Sequence, residues 1–181
     1  GPGFGGSCFP KDTRALYASF KKNKLKSTLI KSVIGFNEER KLNMVKKVKK
    51  LLKKPYKGKK IAFLGVTFKP NTDDLRESPS LVIIPELNKI GIEVYGHDPA
   101  FNKSFEKIQE FKKVKWKKSI FEVVKGVDII LIHTEWNEYR GIDFKKIKNL
   151  VKNQVILDLR NIFNKKDLIG MGFTYSNLGQ K

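Results

Sequence analysis

The chain has 181 residues, enough for one good core carrying a helical appendage. Its 38 Lys and Arg against 18 Asp and Glu leave a formal net charge of +20, and arginine occurs only at Arg14, Arg40, Arg76, Arg140 and Arg160. Lysine is a hydrated point charge, less suited than arginine to forked base or phosphate contacts, so pairs such as Lys46-Lys47 and Lys53-Lys54 read as solvated faces rather than a nucleic-acid surface. No apolar run reaches the roughly 18 residues of a membrane span, and no signal-peptide pattern is present. The lone cysteine, Cys8, can close no internal disulfide, which fits a reducing cytoplasm.

The first stretch, Gly1-Pro2-Gly3-Phe4-Gly5-Gly6-Ser7-Cys8-Phe9-Pro10-Lys11-Asp12, crowds four glycines against that thiol. Glycine lets backbone pass close to a ligand. The thiolate is the reactive form of cysteine, and a cation such as Lys11 nearby favours it. Read without its neighbours, one cysteine is more often a small buried hydrophobe. Gly1, Gly3 and Gly6 also spell a dinucleotide fingerprint, but the fingerprint needs a strand before it and a helix after it. Pro10 interrupts the segment where that helix would run, so the spacing is read as coincidence.

Asp12 is placed to cap a helix over about Thr13 to Lys22, with Leu16, Tyr17 and Phe20 as its apolar stripe. A longer helix opens at Ser27 or Thr28 and runs until Pro55 forbids continuation. At about 1.5 Å per residue it is roughly 40 Å long, so it is expected to lie outside a compact domain, to link two domains and to pack against a second copy. Beyond Lys59 the pattern changes to short buried strands at Ile61–Leu64, Ile92–Tyr95, Ile129–Ile132 and Val155–Leu157, with helices between them. Those helices are expected from Ser78-Pro79 to Gly91, from Ser119 to Lys125 and from Phe144 to Val151. The fold class is α/β: a long central helix followed by a doubly wound, mainly parallel Rossmann-like sheet domain. The expected divisions are a cysteine loop over 1–12, a helical dimerisation region over 13–56 and a nucleotide-binding α/β domain over 57–181.

In such sheets ligands sit at the carboxyl ends of the strands. Polar clusters fall there: Phe68-Lys69-Pro70-Asn71-Thr72-Asp73-Asp74-Leu75-Arg76-Glu77-Ser78 after the first strand, His133-Thr134-Glu135-Trp136 after the third, and Asp158-Leu159-Arg160-Asn161 after the fourth. Taken singly, Thr72, Asp73 and Asp74 read as turn residues, Ser78 as a cap and Trp136 as core. Taken together and in order with the cysteine stretch, these signatures resemble the UDP-glucose/GDP-mannose dehydrogenase family, and the UDP-glucose 6-dehydrogenase type above all. The resemblance covers the whole chain. It departs at Leu159, where the family more often has glycine, and at Gly96-His97-Asp98, where a tyrosine commonly precedes the aspartate.

The resemblance implies an NAD-dependent oxidation of a nucleotide sugar's primary alcohol to a carboxylate. Cys8 matches the nucleophile that forms the thiohemiacetal and thioester, and Asp12 a carboxylate that helps position or activate the hydrolytic water. Cys8, Phe9, Pro10 and Lys11 match a stretch that contacts NAD, and Arg76 a residue reaching across to it. Gly1, Pro2, Gly3, Phe4 and Gly5 match a loop lying along the sugar nucleotide, while Phe68, Lys69 and Arg160 match groups that hold the diphosphate and sugar. No metal is implied. The expected partners are a UDP-sugar and a second copy meeting at the central helix. The family's N-terminal Rossmann domain would precede Gly1, so the chain is expected to be part of a longer polypeptide, inactive alone, with Cys8 on an unsupported terminus. Alternatives are a sister enzyme acting on a UDP-N-acetyl-sugar or GDP-mannose, and a non-catalytic nucleotide-binding dimerisation module.

Overall fold

The computed structural model describes residues 1–179. Two helices come first, α1 (Cys8–Lys22) and α2 (Thr28–Leu52). The remainder alternates: β1 (Lys60–Leu64), α3 (Ser80–Lys89), β2 (Glu93–His97), α4 (Lys103–Glu106), β3 (Lys115–Trp116), α5 (Ile120–Val123), β4 (Ile129–Ile132), α6 (Asn137–Arg140), α7 (Phe144–Ile147), β5 (Val155–Asp158), α8 (Lys165–Gly170) and β6 (Thr174–Asn177). All the strand pairs are parallel, in the order β3-β2-β1-β4-β5-β6. The chain winds outward one way from β1 and then the other way from β4. The expected doubly wound α/β architecture is therefore present, and the switch point lies between β1 and β4.

The central strands read as continuous apolar runs because both faces are covered. Period two divides their side chains between two layers. Ile61, Phe63, Ile129, Leu131 and Leu157 pack with Met44, Val48, Ile83, Ile84 and Leu87 from α2 and α3. Ala62, Leu64, Ile130, Ile132 and Ile156 pack with Val123, Tyr139, Ile147, Leu168 and Phe173 on the other side.

Four strands were expected and six form among the described residues. The two additional ones are edges: β3 is two residues bearing Lys115, and β6 carries Thr174 and Ser176 among its four residues. An edge strand is covered on one side only, so it carries no long apolar run for the sequence to show. The helix expected over Phe144–Val151 closes after one turn, at Ile147.

The first helices depart from expectation in two ways. Helix α1 begins at Cys8, so Asp12 lies inside it and caps nothing. Pro10 sits in the first turn, where backbone N–H groups have no intrahelical acceptor and a proline costs little. Helix α2 does not stand clear of the α/β unit along its whole length. Its C-terminal half is core, with Met44 and Val48 fully buried, whereas Leu29 and Phe36 in its N-terminal half are 75% and 62% exposed.

The two halves predict different mutational costs. Met44→Ala should destabilise the protein by about 2–5 kcal/mol, as a cavity in a packed core does, while Leu29→Ala should stay within about 0.5 kcal/mol. Urea unfolding of the two variants checks the difference.

Candidate active site

The loop after β1 is set by buried polar bonds from three directions. Asp98, just past β2, accepts the backbone N–H groups of Val66 and Thr67 on Oδ2, at 2.6 and 3.2 Å. From the start of α3, the Ser78 and Ser80 hydroxyls both donate to the Val66 carbonyl. Just past β4, Thr134 donates its hydroxyl to the Thr67 carbonyl at 2.6 Å. That proton is then spent, so His133 Nδ1, 3.0 Å from Thr134 Oγ1, must be the donor in that pair. Burial pushes the His133 imidazole down to about 3, which keeps it neutral. This bracing delivers Phe68 and Lys69 to the carboxyl edge of the sheet.

Arg160 reaches the same edge from the loop after β5. Asp158 shapes that loop, accepting Arg160 N–H on Oδ1 at 2.9 Å, and Ile162 N–H and the Tyr175 hydroxyl on Oδ2 at 2.8 Å each. Arg160 Nε donates to the His133 carbonyl at 2.7 Å, Nη2 donates to the Phe68 carbonyl at 3.1 Å, and Glu135 Oε2 lies 2.8 Å from Nε. Burial lowers the guanidinium's pKa, opposed by Glu135 and then Asp158. A desolvated cation lining a cleft suits an anionic ligand.

The glycine loop is supported, contrary to expectation. Gly6 N–H donates to the Arg76 carbonyl at 2.8 Å, which stitches the loop to the segment after β1. The closeness explains two of its glycines. A Cβ on Gly5 would sit 2.5 Å from the Glu77 carbonyl oxygen, and one on Gly6, whose φ is +86°, would sit 2.8 Å from the Phe68 ring. Beyond the loop, Arg14 on α1 holds Glu77 by a two-pronged ion pair at 2.8 and 3.0 Å. The Arg14 bonds hold the Glu77 carboxyl below its ordinary range.

Cys8 is exposed at the first residue of α1, with its Sγ 3.6 Å from Ser7 Oγ. Because the helix begins there, Lys11 and Asp12 come at i+3 and i+4, on the face that carries the thiol. Lys11 and Asp12 pair at 3.4 Å, both exposed. Phe9 meets Phe4 edge to face, with ring centres 4.6 Å apart.

Two clefts result. The larger, about 750 Å³, is lined by Gly1, Gly3, Phe4, Gly5, Phe68 and Arg160, all six expected at the sugar nucleotide. Its far wall comes from α2: Ser32, Val33, Phe36, Asn37 and Arg40. Two expected residues do not line it. Pro2 is buried, and Lys69 is exposed with its Nζ 5.4 Å above the Phe68 ring. The smaller cleft, about 340 Å³, brings Lys11 and Arg76 together with Gly6, Ser7, Arg14 and Glu77. Cys8, Phe9 and Pro10, also expected at the cofactor, are not among its lining.

Sequence reasoning does not find the α2 wall, because Asn37 and Arg40 look like a weak point in a helix. The available signal is spacing: 32/33, 36/37 and 40 recur at one helical turn, which places them on one face.

A parallel, doubly wound sheet with an aromatic and a desolvated arginine at its carboxyl edge is the architecture of nucleotide-binding α/β proteins. Sequence comparison narrows the class. The profile of the UDP-glucose/GDP-mannose dehydrogenase family's UDP binding domain matches residues 62–165, and that of its central domain matches residues 1–39. The chain belongs to this family. It is 42% identical over 181 residues to UDP-glucose 6-dehydrogenase of Rickettsia bellii, covering 100% of this chain and 42% of that protein. Against the Rhizobium meliloti enzyme of the same name it is 38% identical, over 99% of this chain and 41% of that protein. The chain thus spans about two fifths of the curated relatives it matches. Among solved structures, UDP-glucose dehydrogenase of Pyrobaculum islandicum superposes with a TM-score of 0.72 at 32% identity, over 87% of this chain and 34% of that one. NDP-N-acetyl-D-galactosaminuronic acid dehydrogenase of Methanosarcina mazei superposes with a TM-score of 0.84 at 26% identity, over 100% and 39%.

Neutral, buried His133 sets a pH dependence. Its folded pKa lies below the unfolded value of about 6.5, so only the unfolded chain binds the proton as pH falls. Its contribution is fully present above about pH 6.5 and declines by about 1.4 kcal/mol per pH unit below it. Urea midpoints measured from about pH 7 to 5 should show this slope. His133→Asn, whose amide can still donate to Thr134, should flatten it.

Proposed function

We propose that this chain supplies the thiol and the nucleotide-sugar edge of an NAD-dependent UDP-glucose 6-dehydrogenase, which oxidises UDP-glucose to UDP-glucuronate. One observation carries the reading: the short loop that presents the Cys8 thiol also walls the cleft into which Phe68 and Arg160 face. Identity of 38–42% to UDP-glucose 6-dehydrogenases over nearly the whole chain supports it.

In this reading Arg160 meets the diphosphate, Phe68 offers apolar surface, and the Gly1–Gly5 backbone lies along the sugar. The cofactor cleft is lined by Lys11, Arg14 and Arg76, which pair with Asp12, Glu77 and Asp74 respectively. Such cations fit a pyrophosphate, which can draw them from their carboxylate partners. Two NAD⁺, bound in succession, would each accept one of the two hydrides lost from the sugar's C6.

The chain's own residues perform the rest. Once the alcohol has become an aldehyde, Cys8 Sγ adds as thiolate to that carbon and the carbonyl oxygen takes a proton, giving a thiohemiacetal. Loss of the second hydride and of the hydroxyl proton leaves a thioester on Cys8. Water then adds to the thioester carbonyl, expels the thiolate and leaves a carboxylate. Asp12 lies one helical turn from Cys8, where its carboxylate can hold that water and take its proton.

The exposed apolar side chains Leu16 on α1, Leu25 in the turn after it, and Leu29 and Phe36 on α2 form the surface by which two copies meet. In the full-length protein, Leu25→Glu with Leu29→Glu should convert a dimer into a monomer in light scattering. A wild-type monomer at high concentration would defeat this surface.

Binding and chemistry should separate in the full-length protein. Cys8→Ser should keep UDP-glucose affinity by calorimetry and abolish NADH formation. Arg160→Ala should weaken UDP binding by about 10- to 100-fold, the worth of one charge-assisted contact of about 1.5–3 kcal/mol. Normal binding by Arg160→Ala together with lost binding by Cys8→Ser would refute the assignment. Turnover of a UDP-N-acetyl-sugar or GDP-mannose in preference to UDP-glucose would move the chain to a sister activity.

A further inference from the structure

Asn37 is out of place by the ordinary rules of a helix. Asparagine is a modest helix former, and a buried amide costs stability unless it is bonded. Yet Asn37 sits in the middle of α2 with 5% of its surface exposed. The bonds it makes go to Phe4, 33 positions away: its Oδ1 accepts Phe4 N–H at 2.8 Å, and its Nδ2 donates to the Phe4 carbonyl at 3.1 Å. One side-chain amide thus brackets both polar groups of one backbone residue. An Asn can do this because its amide carries an acceptor and a donor side by side. One turn on, Arg40 Nε adds a bond to the Gly1 carbonyl at 3.0 Å.

The bracket reaches the thiol by contact. The Phe4 ring packs edge to face on Phe9, 4.6 Å between centres, and Phe9 directly succeeds Cys8. Two residues past Phe4, Gly6 N–H is bonded to Arg76. Four residues of chain span at most about 14 Å, and here the segment is pinned at Phe4 and Gly6 and packed at Phe9. Phe4 and Asn37 also both line the large cleft.

Resting on the reaction proposed above, we propose that Asn37 is a positioning residue of that reaction: it fixes the glycine loop through Phe4 and so sets the distance from Cys8 Sγ to the sugar carbon. It touches neither the reacting carbon nor the thiol. Errors of about 1 Å in such a distance cost about 100-fold in rate.

The test uses the full-length protein with two substitutions. Asn37→Asp is isosteric and keeps the acceptor for Phe4 N–H, but it sets a carboxylate oxygen against the Phe4 carbonyl. Asn37→Ala removes both bonds. Both variants should lower kcat by about 10- to 100-fold. UDP affinity by calorimetry should stay within about twofold, because the Asn37 amide bonds to Phe4 and not to Phe68 or Arg160. Hydrogen exchange at the Phe4 amide should quicken in both. A role in packing alone would spare Asn37→Asp, so wild-type kcat in that variant would overturn the proposal. So would unchanged Phe4 exchange, or loss of UDP affinity in step with kcat. Should Asn37→Ala fail to fold, the isosteric variant decides. If the wild-type protein turned over no nucleotide sugar, the reaction would be wrong. Phe4 exchange and the alkylation rate of Cys8 by iodoacetamide, altered or unaltered in Asn37→Asp, would still uphold or overturn the bracket.

Discussion

The site depends on one backbone hydrogen bond, from Gly6 N–H to the Arg76 carbonyl. It joins a segment from the start of the chain to a loop seventy residues later, and it exists only because Gly5 and Gly6 carry no side chains where Glu77 and Phe68 approach. Around it the two segments share an ion pair, Arg14 to Glu77, and the wall of each cleft. The thiol is therefore referenced to the sheet rather than carried on a free end.

The sheet in turn is made rigid at its carboxyl edge by carboxylates used as backbone acceptors. In many dinucleotide-binding folds an acidic residue near the end of the second strand meets a ribose hydroxyl. Here Asp98 occupies that neighbourhood but turns inward, to the N–H groups of Val66 and Thr67, and Asp158 does the same work after β5. A buried carboxylate bonded to several N–H groups is satisfied. The cations lining the clefts are Arg160 in one, beside Glu135, and Lys11 and Arg76 in the other, beside Asp12 and Asp74.

The net charge of +20 has little to do with these clefts. Lys46, Lys50, Lys53 and Lys54 are exposed along the far end of α2 and the turn after it, consistent with solvated faces. Lys47 is an exception, since its Nζ donates to the Asn177 carbonyl at 2.7 Å and ties α2 to β6.

What the sequence determined by itself was whatever depends on local pattern. Buried parallel strands are short apolar runs, so β1, β2, β4 and β5 were legible, and Gly-rich or polar stretches marked the segments that carry Cys8, Phe68 and Arg160. The start of α1 was misjudged, because a proline in the first turn and one just before a helix look alike in sequence, but only the first leaves Cys8 and Asp12 on a common face. The edge strands β3 and β6 were invisible because half-covered strands need no apolar run. Only the tertiary structure decided that half of α2 is core, and that Asn37 and Arg40 face the glycine loop. The physical reason is that a bracket between Asn37 and Phe4 is a property of packing between segments 33 positions apart, and no local propensity of either segment encodes it.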